Sequence, residues 1–113
     1  MHDVYRRYVS ELSLEETMPK YVIERELPGA GSLSAEELQG ISAKSNHVIG
    51  ELGPEIRWLT SYVTDDKLYC VYVAPDEDIL LEHARCGAFP ADRISKVATV
   101  IDPSTGDGAA ANA

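Results

Sequence analysis

An α+β fold in the order β-α-β-β-α-β, a four-stranded antiparallel sheet with two helices on one face, is predicted by three observations. A long apolar stripe of helical period runs between a capping signal at Ser34 and a Gly53-Pro54 stop. Two β-rich runs flank Asp65-Asp66, the pattern of a hairpin. A second, shorter helix signal separates that hairpin from a final β-rich run.

In chain order, Lys20 to Leu27 reads as a strand through Tyr21, Val22 and Ile23, stopped by Pro28-Gly29. Ser34 stands three residues before Glu37, the capping-box spacing. Leu38, Ile41, Ser45, Val48, Ile49 and Leu52 then keep a spacing of three or four, which predicts a helix over 35–52. Arg57 to Thr64 and Lys67 to Ala74 form the hairpin. A two-residue turn pairs Tyr62 with Tyr69, Thr60 with Val71, Ser61 with Cys70 and Leu59 with Tyr72. Pro75-Asp76-Glu77-Asp78 opens the second helix with acids at its positive end, and Gly87 stops it near Cys86. Ile94 to Ile101 is the last strand, closed by Asp102-Pro103. This order within about 85 residues is the topology called ferredoxin-like. It carries no four-cysteine cluster motif, so an iron–sulfur site is excluded.

The core domain therefore spans 18–103. Residues 1–17 form an N-terminal extension with helical spacing over 3–12, and 104–113 read as a mobile C-terminal tail with nothing to bury. The 113 residues carry 19 acids against 10 bases, a net charge of -9, which argues against nucleic acid or an anionic membrane as partner. No apolar run is long enough to span a bilayer, and the first 17 residues lack the apolar stretch of a signal peptide. Cytoplasmic placement is expected, with both cysteines as thiols.

The hairpin carries large apolar groups on both expected faces: Trp58, Tyr62, Tyr69, Val71 and Val73 on one, Leu59, Val63, Leu68 and Tyr72 on the other. Two helices cover one face only, and a solvated face should alternate to polar residues. A homodimer with sheets packed face to face accounts for this; the N-terminal extension folding over the open face is the alternative.

Candidate chemistry centres on the second helix. Ile79, His83 and Cys86 fall at i, i+4 and i+7, one face, which directs His83 and Cys86 toward the sheet. Cys70 on the third strand, Glu24 and Glu26 on the first, and His47 on the long helix are further possible metal donors. Each has a plainer reading: His83 as a hydrogen-bonded core residue, Cys86 as a small hydrophobe at a helix end, Glu24-Arg25-Glu26 as an edge-strand charge pattern, and His47 as solvated. Gly29-Ala-Gly-Ser matches no phosphate-loop motif, no GxSxG is present, and no catalytic residue is assigned.

Tyr21-Val-Ile-Glu-Arg-Glu-Leu-Pro-Gly, Ser61-Tyr-Val-Thr-Asp-Asp-Lys-Leu-Tyr-Cys-Val-Tyr, Ala74-Pro-Asp-Glu, Glu82-His-Ala, Gly87-Ala-Phe-Pro and Val100-Ile-Asp-Pro resemble a group of small bacterial proteins. These are classed as a domain of unknown function and labelled nickel-binding. The resemblance implies a dimeric ferredoxin-like α/β barrel and adds weight to His83, Cys70 and Glu24; Cys86 and His47 rest on spacing alone. The expected function is a homodimeric binding protein that sequesters, buffers or senses a divalent transition metal, nickel first. The alternative is a small-molecule pocket between helices and sheet, as in cofactor-free monooxygenases of similar architecture, lined by Tyr62, Tyr69 or Tyr72.

Overall fold

The computed structural model describes residues 18–108. The expectations for the N-terminal extension, including its folding over the sheet, and for the tail beyond 108 lie outside the described residues.

Four strands and two helices follow the expected order: β1 (Lys20–Glu26), α1 (Ala35–Leu52), β2 (Arg57–Val63), β3 (Lys67–Val73), α2 (Glu77–Gly87) and β4 (Arg93–Lys96). Short 3-10 turns occupy Ala30–Ser32 and Pro103–Asp107. The sheet order is β2-β3-β1-β4, every neighbouring pair antiparallel, which is the ferredoxin-like arrangement. No helix among the described residues is long and apolar enough to cross a membrane.

Local chemistry explains the boundaries. At the start of α1 the Ser34 hydroxyl accepts from the Glu37 amide at 3.1 Å, and the Glu37 carboxylate accepts from the Ser34 amide at 3.1 Å. Two of the orphan amides that begin every helix are satisfied in this way. Gly53 ends α1 with φ 109, a backbone angle that side chains disfavour. The loop before α1 is committed to the hairpin tip: the Gly31 amide donates to the Asp65 carbonyl and the Gly29 amide to the Asp66 carboxylate. A Cβ on Gly31 would meet the Asp65 Cα at 3.0 Å, so close backbone approach explains that glycine.

The hairpin register holds from Val63 back to Thr60, with Ser61 opposite Cys70 and Tyr62 opposite Tyr69. It then shifts. A bulge at Leu59 places Trp58, rather than Leu59, opposite Tyr72. An extra residue in one strand reverses the facing of everything beyond it. Trp58 therefore joins the Tyr72 face and donates its indole N–H to Ser61 at 2.9 Å.

β4 is shorter than expected, ending at Lys96 rather than Ile101. Just past its end the Val97 amide still donates to the Lys20 carbonyl at 2.8 Å. The next residue along β1 is Pro19, which has no amide, and its carbonyl already accepts from Ala74. The regular ladder with β1 stops there, and beyond it only an isolated bridge at Val100 remains among the described residues.

The helices cover one face of the sheet. Tyr21, Ile23 and Arg25 of β1 and Leu68, Cys70 and Tyr72 of β3 are buried there, with Leu80 of α2 in the same core and Ile49 and Leu52 of α1 packed on it. The other face carries Val22 and Glu24 of β1, Lys67, Tyr69 and Val71 of β3, and a Tyr62 that is 63% exposed. The charged run Glu24-Arg25-Glu26 thus sits on an interior strand of the sheet, not an edge.

Candidate binding pocket

The inward stripe of α2 is Leu80, His83, Ala84 and Gly87. Relative to the expected Ile79, His83 and Cys86, it is rotated so that Ile79 is half-buried and Cys86 faces solvent. The end of the helix sets this phase. Ala88 takes the left-handed conformation, φ 53, while the Phe89 amide returns to the Ala84 carbonyl at 2.9 Å, a Schellman closure. That closure folds the Phe89 ring over Gly87, where an added Cβ would lie 2.2 Å from Phe89 Cε2. Phe89 in turn stacks on His83, centroids 5.3 Å apart.

His83 is fully buried. Its Nε2 shares a hydrogen bond with the Ser45 hydroxyl of α1 at 3.1 Å, while Nδ1 has no partner among the described residues. Burial, assisted by the positive charge of Arg25, pushes its pKa down to about 4, so the ring is neutral at pH 7. Tyr72 tilts against the other side, centroids 5.4 Å apart. Burial also raises the Tyr72 phenol, which stays protonated.

Arg25 is the least expected member of this cluster. Only 5% exposed, it donates from Nη1 to the Pro90 carbonyl and from Nη2 to the Tyr72 hydroxyl at 3.5 Å. Its guanidinium carbon lies 5.5 Å from the Phe89 centroid. Among the described residues no carboxylate pairs with it. Lys44 of α1 places its ammonium 5.1 Å from the same Phe89 ring.

These groups border a cavity of about 370 Å³ between α1 and the covered sheet face. Leu38 and Ile41 of α1 oppose Trp58, Val63 and Leu68 of the sheet as apolar walls, and Arg25, Tyr72 and Cys70 form part of its lining. His83 lies behind that wall rather than in it.

The expected donors are dispersed over three surfaces. Cys70, Tyr72 and His83 belong to the covered side. Glu24, Glu26, Tyr62 and Tyr69 belong to the open face, where Lys67 reaches Glu26 at 3.2 Å and Glu24 at 3.9 Å. His47 and Cys86 are exposed on the helices: His47 Nε2 meets Glu51 at 2.9 Å, and the Cys86 thiol meets Glu82 at 3.4 Å, a bond that pushes the thiol's pKa up. The sheet separates His83 from Glu24, and among the described residues no three His, Cys, Asp or Glu converge as a metal-holding group. The described residues of one protomer therefore do not fit a resident nickel ion in a closed cage. Arg25, Ser45 and Phe89 were not expected as site residues. For Arg25 the signal was present, because it shares strand parity with Tyr21 and Ile23.

The sequence profile of the family described as "Nickel responsive protein SCO4226-like" matches residues 21–97. The fold resembles the solved structure of SCO4226 from Streptomyces coelicolor A3(2), with a TM-score of 0.60 at 12% identity, covering 70% of this chain and 95% of that one. No curated protein matches the sequence.

Proposed function

The chain belongs to the nickel-responsive SCO4226-like family, and from that premise we propose that it is a cytoplasmic binding protein that takes up a divalent transition metal, nickel first, as a homodimer. The observation that carries this reading is the extent of the family match, which includes both helices and all four strands almost to their ends. Nickel is the cargo here, so its donors must be reachable. The exposed couples His47–Glu51 and Glu82–Cys86 each offer two side chains one helical turn apart, with donor atoms already 2.9 and 3.4 Å from one another. Imidazole, thiolate and carboxylate suit nickel, copper or zinc better than magnesium or calcium. Two donors per couple leave the remaining positions to water or to a second copy.

The homodimer reading is supported by the open sheet face. Val22, Tyr69 and Val71 are half-buried there and Tyr62 is exposed, more apolar surface than a solvated strand face normally retains.

Isothermal titration of nickel into the wild type, His47→Ala, Cys86→Ser and His83→Ala, with light scattering on the same samples, tests both parts. Loss of a site or weakened affinity in His47→Ala or Cys86→Ser, with His83→Ala unchanged, is expected. An effect confined to His83→Ala would overturn the surface assignment, and a wild type that binds no nickel would overturn the metal reading. A monomer at all concentrations would remove the dimer.

A further inference from the structure

The cavity between α1 and the sheet raises a question that nickel does not answer: what Arg25 is for. A guanidinium cannot shed its charge, and moving one out of water costs several kcal/mol unless a counter-charge compensates. Arg25 is 5% exposed and meets two neutral oxygens, the Pro90 carbonyl and the Tyr72 hydroxyl. Three of its five N–H donors remain uncommitted by those bonds.

A second cation faces the same chamber. Lys44, at the solvent-exposed rim, lines it, and among the described residues no Asp or Glu does. This holds in a chain with 19 acids and only 10 bases. Elsewhere the protein pairs its charges readily: on the open face Glu24 stands 3.9 Å from both Lys67 and Arg93. A buried Arg25 with no carboxylate beside it among the described residues, and an exposed Lys44 at the rim of the same cavity, have the electrostatics of an anion site.

The rest of the chamber sets the shape of the anion. Leu38 and Ile41 on one side and Trp58, Val63 and Leu68 on the other are apolar walls that an inorganic ion would not use. A dry apolar cavity of about 150 Å³ accepts benzene. The volume here, about 370 Å³, admits a ring and a short arm. A phosphate ester is less well matched, because the nearby glycines are committed: the Gly29 and Gly31 amides are bonded to the hairpin tip.

We propose that this cavity binds a small organic monocarboxylate with an apolar, ring-sized body, its carboxylate seated on Arg25 with Lys44 as the second positive group and its body against Trp58 and the aliphatic walls. The planar fork of a guanidinium matches a carboxylate better than it matches a neutral amide. This site is independent of the surface metal donors, so it is tested in the presence of a chelator.

Trp58 is the only tryptophan in the chain and lies in the cavity wall, so its emission reports occupancy. The full-length protein is titrated with hydrocinnamate, with its neutral amide, and with sodium phosphate as the inorganic control. Hydrocinnamate should change the emission saturably and bind at least about ten-fold more tightly than the amide, as a charge-assisted pair requires. Arg25→Met should remove about that preference while leaving amide affinity within roughly two-fold. Equal affinity for acid and amide would overturn the proposal. So would displacement of hydrocinnamate by equimolar phosphate, or no saturable change with either organic probe. If Arg25→Met fails to fold, Lys44→Met replaces it: a reduced acid-to-amide preference supports the site, and an unchanged one overturns the assigned pairing of cations.

Discussion

Acidification should destabilise this protein through His83, and the size of the effect follows from its surroundings. The imidazole is fully buried beside Arg25, with a pKa pushed down to about 4 from an ordinary 6.5. The unfolded chain therefore takes up a proton more readily than the folded one. The stabilisation is complete above about pH 6.5, declines as pH falls toward 4, and changes no further below that. At about 1.4 kcal/mol per pH unit, the whole span is worth about 3 kcal/mol, of which about 2 kcal/mol is already lost near pH 5. Urea denaturation near pH 7.5, 6 and 5 measures it, comparing the wild type with His83→Leu/Ser45→Ala. The double variant removes both ends of the Ser45–His83 bond, and the Tyr72 hydroxyl, which Ser45 also contacts, keeps its bond from Arg25. Glu37, Glu82 and Asp102, whose carboxyls are held below the usual range, lose their contributions at lower pH in both proteins. That loss cancels in the difference. Parallel pH profiles for the two proteins would refute the reasoning, as would a His83 ring signal titrating by NMR near its ordinary value.

Three further outcomes rest on the same corner of the fold. Gly87→Ala should cost roughly 2–3 kcal/mol in denaturant unfolding, because Phe89 is packed by backbone closure and cannot swing aside freely. Ala88→Gly should raise stability by about 0.5–1 kcal/mol, since Ala88 holds a left-handed conformation that glycine adopts without strain. Arg25→Met should move the NMR titration of His83 upward, because the nearby positive charge is one of the two influences holding the ring neutral. An unmoved midpoint would show that burial alone sets it.

The sequence was most informative where chemistry marks both ends of an element. α1 occupies the expected residues because a reciprocal cap at Ser34 and Glu37 starts it and Gly53 stops it. The hairpin register was legible outward from its turn as far as Thr60, but the bulge at Leu59 has no local signature in a run of β-forming residues. α2 carries Ile79-Leu80-Leu81 in its first turns, three consecutive apolar residues that admit more than one phase. Packing of Phe89 over Gly87 selects the phase that keeps His83 inside and turns Cys86 out. The shortness of β4 depends on Pro19, far away in sequence but next in the pairing register.

Glu24-Arg25-Glu26 shows how much chemistry a strand's two-residue period can separate. Its carboxylates lie on the open face, where Glu24 and Glu26 share Lys67 and exposure keeps each pairing worth little. Arg25, one residue away, points to the opposite side and into a chamber that no acid lines among the described residues. A lysine there could deprotonate to escape the cost of burial; an arginine cannot. The charge is therefore permanent, and the neighbouring groups adjust to it: His83 stays neutral and Tyr72 keeps its proton. A structural role alone would be met more cheaply by an apolar side chain of similar length, since buried charges are seldom retained for stability. What an apolar replacement could not do is receive an anion, and that difference is the strongest physical argument for ligand binding in this cavity.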